Sequence, residues 1–364
     1  MKILILAEDY PDLEGKISLF YIHTRSLHYL KKGIDVEVIS FRAKYDYNID
    51  GVNVIRLDTY KNRKQTKYDL LILHAPNLKN HYIFLKKYGK NFDKHIFFFH
   101  GHEVLKINKD YSKPYKYMDK KIKVFRNVYD FLKLKIWHNY FIKNNSKSYY
   151  IFVSKWMKEM FLKNIKIKEN LIDGRSYITY NSVGEIFETE TYNKLENKEF
   201  DFITVRGCID GSKYSIDIIN NLAYNNPNCK FLVIGKGKYF NIYTKASNII
   251  WIQKHCNHEE IVKYLNKSKC ALMPTRTDAQ GLMACEMATF GIPLLSSNIP
   301  VCHEIFDDFD NVELIDNTNQ QIDLEEVLEK LEKGYPYKKN TKYYNKNTSE
   351  KEIEIFIKVL KEKK

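Results

Sequence analysis

Short apolar runs separated by helix-patterned stretches recur along this chain, and that alternation constrains its fold more than any other feature. Ile3–Ala7, Ile34–Phe41, Val52–Leu57, Asp69–His74 and His95–His100 read as strands. An amphipathic helix runs from Leu19 to Lys32 and ends at Gly33. The pattern resumes at Tyr149–Val153 and Tyr177–Tyr180, then at Ile203–Val205, Phe231–Ile234, Ile249–Gln253 and Ala271–Thr275. Ser154, after the first of these, reads as the N-cap of a helix. Apolar strands joined by helices build a parallel, doubly wound α/β sheet. With 364 residues the chain is long enough for two such sheets, each with its own core. The polar run Glu188–Lys198 reads as a linker, which divides the chain into 1–187, a linker at 188–199, 200–348, and an amphipathic helix at 349–364.

No apolar run reaches the roughly 20 residues of a membrane span. Met1–Ala7 is too short for the apolar core of a signal peptide and runs into Glu8-Asp9, so a buried first strand is expected. The six cysteines (Cys208, Cys229, Cys256, Cys270, Cys285, Cys302) include no C-x-x-C pair, which favours reduced thiols in a cytoplasmic protein. The net charge of +14 is concentrated between Val104 and Asn170, where seventeen Lys and Arg face five Asp and Glu. Tyr115, Tyr117, Phe125, Tyr129, Phe131, Trp137, Tyr140 and Phe141 interleave with that charge. An anionic membrane surface attracts such a segment, and a solvated helix face looks the same. No recognition motif accompanies it, so nucleic acid is not an expected partner.

Ligands of doubly wound sheets collect at the carboxyl ends of strands. The loop after Ala7 holds Gly15 and Lys16 without a G-x-G-x-x-G fingerprint. His100-Gly101-His102-Glu103 follows the strand ending at Phe99. Arg206 closes Ile203–Val205, with Lys213 seven residues on. Two cations on one loop can neutralise a departing diphosphate, Arg as a planar fork and Lys as a point charge. The richest stretch is Ala271–Phe306, read as strand, loop, helix, strand. Its helix Gly281–Phe290 is stopped by Gly291-Ile292-Pro293. The first helix amides, at Gly281, Leu282 and Met283, lack intrahelical partners and form an anion site. Glu286 is a carboxylate inside an apolar helix, costly unless paired, and able to accept from the vicinal diol of a ribose. On chemistry alone, Asp278 serves equally as a turn or cap residue and Glu286 as a salt-bridge partner.

Asp278, seven residues, Glu286 and then Met287-Ala288-Thr289-Phe290-Gly291-Ile292-Pro293 resemble the E-x7-E signature of family 4 glycosyltransferases, with Asp for the first Glu. Asn181-Ser182-Val183-Gly184-Glu185-Ile186-Phe187 is similar to that family's N-G-V-D-x-x-x-F hinge stretch, with Ser182 for Gly and Gly184 at the Asp position. Arg206-Gly207 and Lys213-Tyr214 resemble its G-R-…-K-G loop, Gly235-Lys236-Gly237 its V-x-G-x-G turn, and His100-Gly101 its first-domain histidine. The resemblance implies GT-B architecture: two Rossmann-like domains facing a central cleft, the first for the acceptor and the second for the donor. The terminal helix is then expected to pack back on the first.

The implied activity is a retaining, metal-independent hexosyltransferase using a UDP-sugar in preference to a GDP-sugar. The acceptor would be a glycan, in cell-surface polysaccharide synthesis on a lipid carrier at the inner membrane face. Arg206, Lys213 and the amides of Gly281–Met283 would hold the diphosphate, Glu286 the ribose and Gly235 the donor turn. Asp278 and His100 would grip the sugar, and Gly15 and Lys16 would belong to the acceptor loop. No cofactor or metal is expected, the nucleotide-sugar being a substrate. A UDP-sugar epimerase and a non-catalytic nucleotide-sugar-binding partner subunit remain alternatives on the same fold.

Overall fold

The computed structural model describes residues 1–63, 66–118, 123–319 and 321–362. They form two compact units. The first comprises Met1–Ile107, Val124–Ser182 and Tyr344–Lys364, and the second Asn108–Lys123 and Val183–Tyr343.

The first unit is built on eight strands: β1 (Lys2–Ala7), β2 (Asp35–Ser40), β3 (Tyr47–Ile49), β4 (Val52–Ile55), β5 (Leu70–His74), β6 (His95–Phe99), β7 (Ser148–Phe152) and β8 (Ser176–Ile178). Their order is β3-β4-β2-β1-β5-β6-β7-β8, parallel except for the β3–β4 hairpin. Ile3, Leu4, Ile5 and Leu6 are wholly buried because helices cover both faces, which is why the strand reads as an unbroken apolar run. β1 pairs with β2 on one side and β5 on the other, Ile3 lying opposite both Val36 and Leu70. The chain therefore reverses direction across the sheet at β1, and a crevice opens at its carboxyl end. Glu37 interrupts β2, and Arg63 and Tyr68 satisfy its carboxylate.

Two helices close this unit: α1 (Phe20–Lys31) and, from the chain's far end, Ser349–Lys361. Their contact holds a buried ion pair. Arg25 donates to Glu352 Oε1 at 3.1 Å and Oε2 at 3.2 Å, and to Asn181 Oδ1 at 2.9 Å. Tyr29 and Thr179 also donate to Glu352. Such a pair stands only because every charge is answered locally. A long helix, α2 (Lys123–Lys143), buries Leu134, Trp137 and Phe141 and leaves Phe125, Val128, Tyr129, Phe131 and Leu132 exposed.

The second unit has six parallel strands: β9 (Phe200–Cys208), β10 (Phe231–Lys236), β11 (Ile249–Ile252), β12 (Ser268–Leu272), β13 (Leu294–Ser297) and β14 (Val312–Ile315). Their order is β11-β10-β9-β12-β13-β14, so the reversal falls between β9 and β12. Helix α3 (Ile216–Asn225) follows β9, and α4 (Leu282–Phe290) follows β12.

The expected domain limits differ from the observed ones in two respects. The run 188–198 is not a free linker, because Tyr192 within it is buried. Its amide bonds Phe290 O at 2.9 Å and its hydroxyl bonds Ser268 O at 2.9 Å, so the division falls at Ser182/Val183 and again at Tyr343/Tyr344. The first domain is also interrupted, since Asn108–Lys123 belongs to the second unit. Ser154 caps its helix as expected, accepting from Met157 N at 3.1 Å. All six cysteines are free thiols. Among the described residues no helix is long and apolar enough to cross a membrane.

Candidate functional site

Arg206 sits inside the carboxyl end of β9 and is nearly buried there, 8% exposed. Its Nη2 donates to Pro274 O at 2.6 Å, while Nε has no partner among the described residues. A buried donor left open is costly, and an arriving anion removes that cost. Burial pulls the guanidinium below its ordinary pKa, and the charge of Asp278 opposes that shift. Lys213 lies in the turn Ser212–Tyr214. The Tyr214 ring, standing where the family pattern has Gly, carries Arg206 at 5.3 Å and Lys213 at 4.6 Å from its centroid. One aromatic ring thus attracts both cations without neutralising either.

The β12–α4 loop faces them. Asp278 Oδ1 accepts from the amides of Ala279 at 2.8 Å and Gln280 at 3.4 Å, so this carboxylate also shapes its own turn. Gly281 adopts φ 71°, a conformation a side chain would strain, and starts α4. The first intrahelical bond runs from Ala284 N to Gly281 O at 2.9 Å, which leaves the Leu282 and Met283 amides ahead of it. Arg206, Asp278 and Gly281 line one small cavity of about 10 Å³, with room for a single water. Gly235 belongs beside them for a packing reason. At φ 155° it lies so close to β9 that a Cβ would stand 2.3 Å from the Arg206 carbonyl oxygen.

Glu286 lies further along α4, 3% exposed. Among the described residues its polar contacts both fall on Oε1, from Gly184 N and from His258 Nε2, each at 3.4 Å. Burial pushes its pKa up, and His258 and the Gly184 amide offset part of that rise. The resemblance places the nucleotide base at the loop 254–258 and Gly184 at a family Asp position, but the sequence did not pair His258 or Gly184 with Glu286. The available signal was the missing Asp at position 184, where a Cβ would come within 2.5 Å of His258 Nδ1.

The remaining candidates belong to the first unit. His100 Nε2 bonds His74 Nδ1 at 3.1 Å, and the His100 ring packs on Tyr21 at 4.4 Å. Burial, with the nearby charge of Arg25, holds both imidazoles well below their ordinary pKa, so both are neutral hydrogen-bonding groups. Glu103 accepts from the His100 and Gly101 amides and fixes this loop. Asp130 and Lys133 of α2 grip it as well: Lys133 Nζ donates to His102 O at 2.8 Å and Asp130 accepts from Ile107 N at 2.7 Å. Gly15 and Lys16 border a cleft of about 400 Å³ shared with Tyr10, Arg42, Tyr45 and Tyr47. Lys16 is paired with Asp9 at 2.6 Å. Among the described residues no group of three His, Cys, Asp or Glu side chains could hold a metal ion.

Residues 192–348 match the family model described as glycosyl transferases group 1. An uncharacterized glycosyltransferase of Methanocaldococcus jannaschii is 23% identical, over 90% of this chain and 88% of its own. Sucrose-phosphate synthase from Thermosynechococcus elongatus superposes with a TM-score of 0.66 at 12% identity, over 99% and 96% of the two chains. WaaG, a glycosyltransferase involved in lipopolysaccharide biosynthesis, gives 0.63 at 13%, over 97% and 99%. An E. coli trehalose-6-phosphate structure bound with UDP-2-fluoro glucose gives 0.56 at 10%, over 99% and 96%. The two parallel-sheet units are those of the GT-B fold.

Proposed function

We propose that the chain is a glycosyltransferase of the group 1 family whose model matches residues 192–348, and that it moves a sugar from a nucleoside-diphosphate sugar to a glycan with retention of configuration and without a metal ion. The carrying observation is the buried Arg206, with Nε open, sharing the Tyr214 ring with Lys213 beside the first amides of α4. As the bond from the sugar's anomeric carbon to the diphosphate breaks, negative charge grows on the leaving oxygens. Preorganised cations and amides stabilise it there more than in the bound substrate. The acceptor oxygen bonds to the same face of that carbon, and its proton passes to the departing phosphate. Glu286 is the ribose acceptor and Asp278 meets the sugar. His100, held neutral, contributes hydrogen bonding to the sugar.

UDP is favoured as the base carrier, in keeping with the similar structure that holds UDP-2-fluoro glucose. At about 100 times its Kd a diphosphate adds roughly 2.7 kcal/mol of stability. We expect that shift with UDP and its loss in Arg206→Ala. No shift with UDP, GDP or ADP would overturn the donor reading.

The exposed apolar face of α2, set within a basic segment, supports a lipid-linked acceptor met at an anionic membrane surface, with the protein peripheral at its cytoplasmic side. Lys120 and Lys121 of that segment lie outside the described residues. Phe125→Glu with Phe131→Glu should abolish sedimentation with phosphatidylglycerol vesicles, and undiminished sedimentation would refute this setting.

A further inference from the structure

Asn108–Lys123 separates β6 from α2 in sequence, yet it clusters with the second unit. Its described residues touch three loops at the carboxyl end of the β9–β14 sheet. Ser112 Oγ lies 2.8 Å from Ser212 Oγ, and Thr277 Oγ1 donates to Asp110 O at 3.4 Å. Tyr117 donates to Asp210 Oδ1 at 2.7 Å, the atom that also accepts from Lys238 N at 2.7 Å. Tyr115 donates to Asp217 Oδ1 at 2.8 Å. The two rings stack on one another and pack against Tyr243, and Tyr115 packs also on Tyr239.

Asp217 carries the constraint onward. It takes both arms of the Arg276 fork, at 2.7 and 2.8 Å. Arg276 Nη1 then holds Ser212 O at 3.0 Å, and its amide holds Lys213 O at 2.9 Å. An unbroken hydrogen-bonded path therefore joins Tyr115 to the backbone of Lys213. Burial pushes the Asp217 carboxyl up, and the Arg276 and Tyr115 bonds more than offset it, leaving it below the ordinary range. Space-filling would need only the rings, whereas here each hydroxyl meets a carboxylate in a charge-assisted bond.

We propose that residues 108–118 are a clamp, in which Tyr115 and Tyr117 are positioning residues that hold the Lys213 turn and the Thr277–Asp278 loop ready for the nucleoside diphosphate. The inference rests on the donor reading above. A loop ordered in advance loses less entropy when its anion arrives, so the clamp acts on affinity. It also links the donor loops to the chain segment that leads directly into α2.

The test uses the full chain, with Tyr115→Phe, Tyr117→Phe and the exposed control Tyr224→Phe. Without ligand, hydrogen exchange at the amides of 212–217 and 275–278 should accelerate in the first two and not in the control. UDP affinity should fall roughly tenfold in Tyr115→Phe, which is about 1.4 kcal/mol. Combined with Lys213→Ala, that loss should be less than additive, because both changes act through the same turn. Unchanged exchange and affinity, full additivity, or tighter binding after the clamp is loosened would each overturn the proposal. Failure of the unaltered protein to bind any nucleoside diphosphate would overturn the donor reading and the clamp's role with it. Equal binding by all variants overturns the clamp alone.

Discussion

The two units share an architecture, and the central buried arginine of each is answered differently. In the first, the Arg25 guanidinium meets Glu352 and Asn181, and Glu352 is further met by Tyr29 and Thr179. Its buried histidines are kept neutral. In the second, among the described residues, Arg206 keeps Nε open and Glu286 has only two long contacts on one oxygen. Open buried atoms occur in the first unit too, at Arg63 Nε and His74 Nε2, but the open Arg206 residue of the second lines a cavity with Asp278 and the start of α4. Neither burial nor an open donor marks a site alone; Arg206 combines both with a cavity lined by a carboxylate and a helix start.

Acid should separate the units most. Burial lowers the pKa of His74, His81, His95 and His100 below the unfolded value of 6.5, His81 and His95 to about 4. Groups depressed in the folded state contribute stability that is present above pH 6.5 and lost as pH falls toward 4. At pH 5, His81 and His95 each withdraw about 2 kcal/mol from the first unit. The second should persist, so a scan at pH 5 should resolve two transitions. Coincident melting at pH 5 and 7.5 would erase the contrast.

Next in size is Glu352→Ala, which strands Arg25 and should cost the first unit about 3–5 kcal/mol. Chemical denaturation followed by near-UV dichroism measures the loss. UDP affinity should hold, since the donor groups lie in the other unit. The smallest effect has the opposite sign. Glu286 has a raised pKa, so the natural protein loses stability as pH rises through and above 4.5. Glu286→Gln avoids that loss and should be the more stable protein at pH 8, with the two converging below pH 4.5. The same change should weaken UDP binding. A variant that is both less stable and equally tight would show Glu286 to be a structural ion-pair partner.

How far these arrangements were legible in the sequence follows the range of the contacts. The apolar strands, the stop at Gly291 and the loop cations were readable because each is decided within a few residues. Of the hairpin at 47–55 only Val52 onward was readable, Tyr47–Ile49 being too short to show a period. The clamp was not readable, because nothing local to Tyr115 names Asp217 as its partner. His258 was hidden likewise, since its place depends on an absent side chain at Gly184. The expected linker failed on one residue, Tyr192, whose ring outweighed the polarity around it.

The first unit is assembled from three separate stretches of chain, the last beginning at Tyr344. A ribosome making this protein delivers Arg25 early and Glu352 only after the whole β9–β14 sheet has emerged. Domains usually close in order of synthesis. Here the unit begun first is the last to be completed, and until then its α1 surface holds an arginine among apolar residues that has Asn181 but not yet its carboxylate.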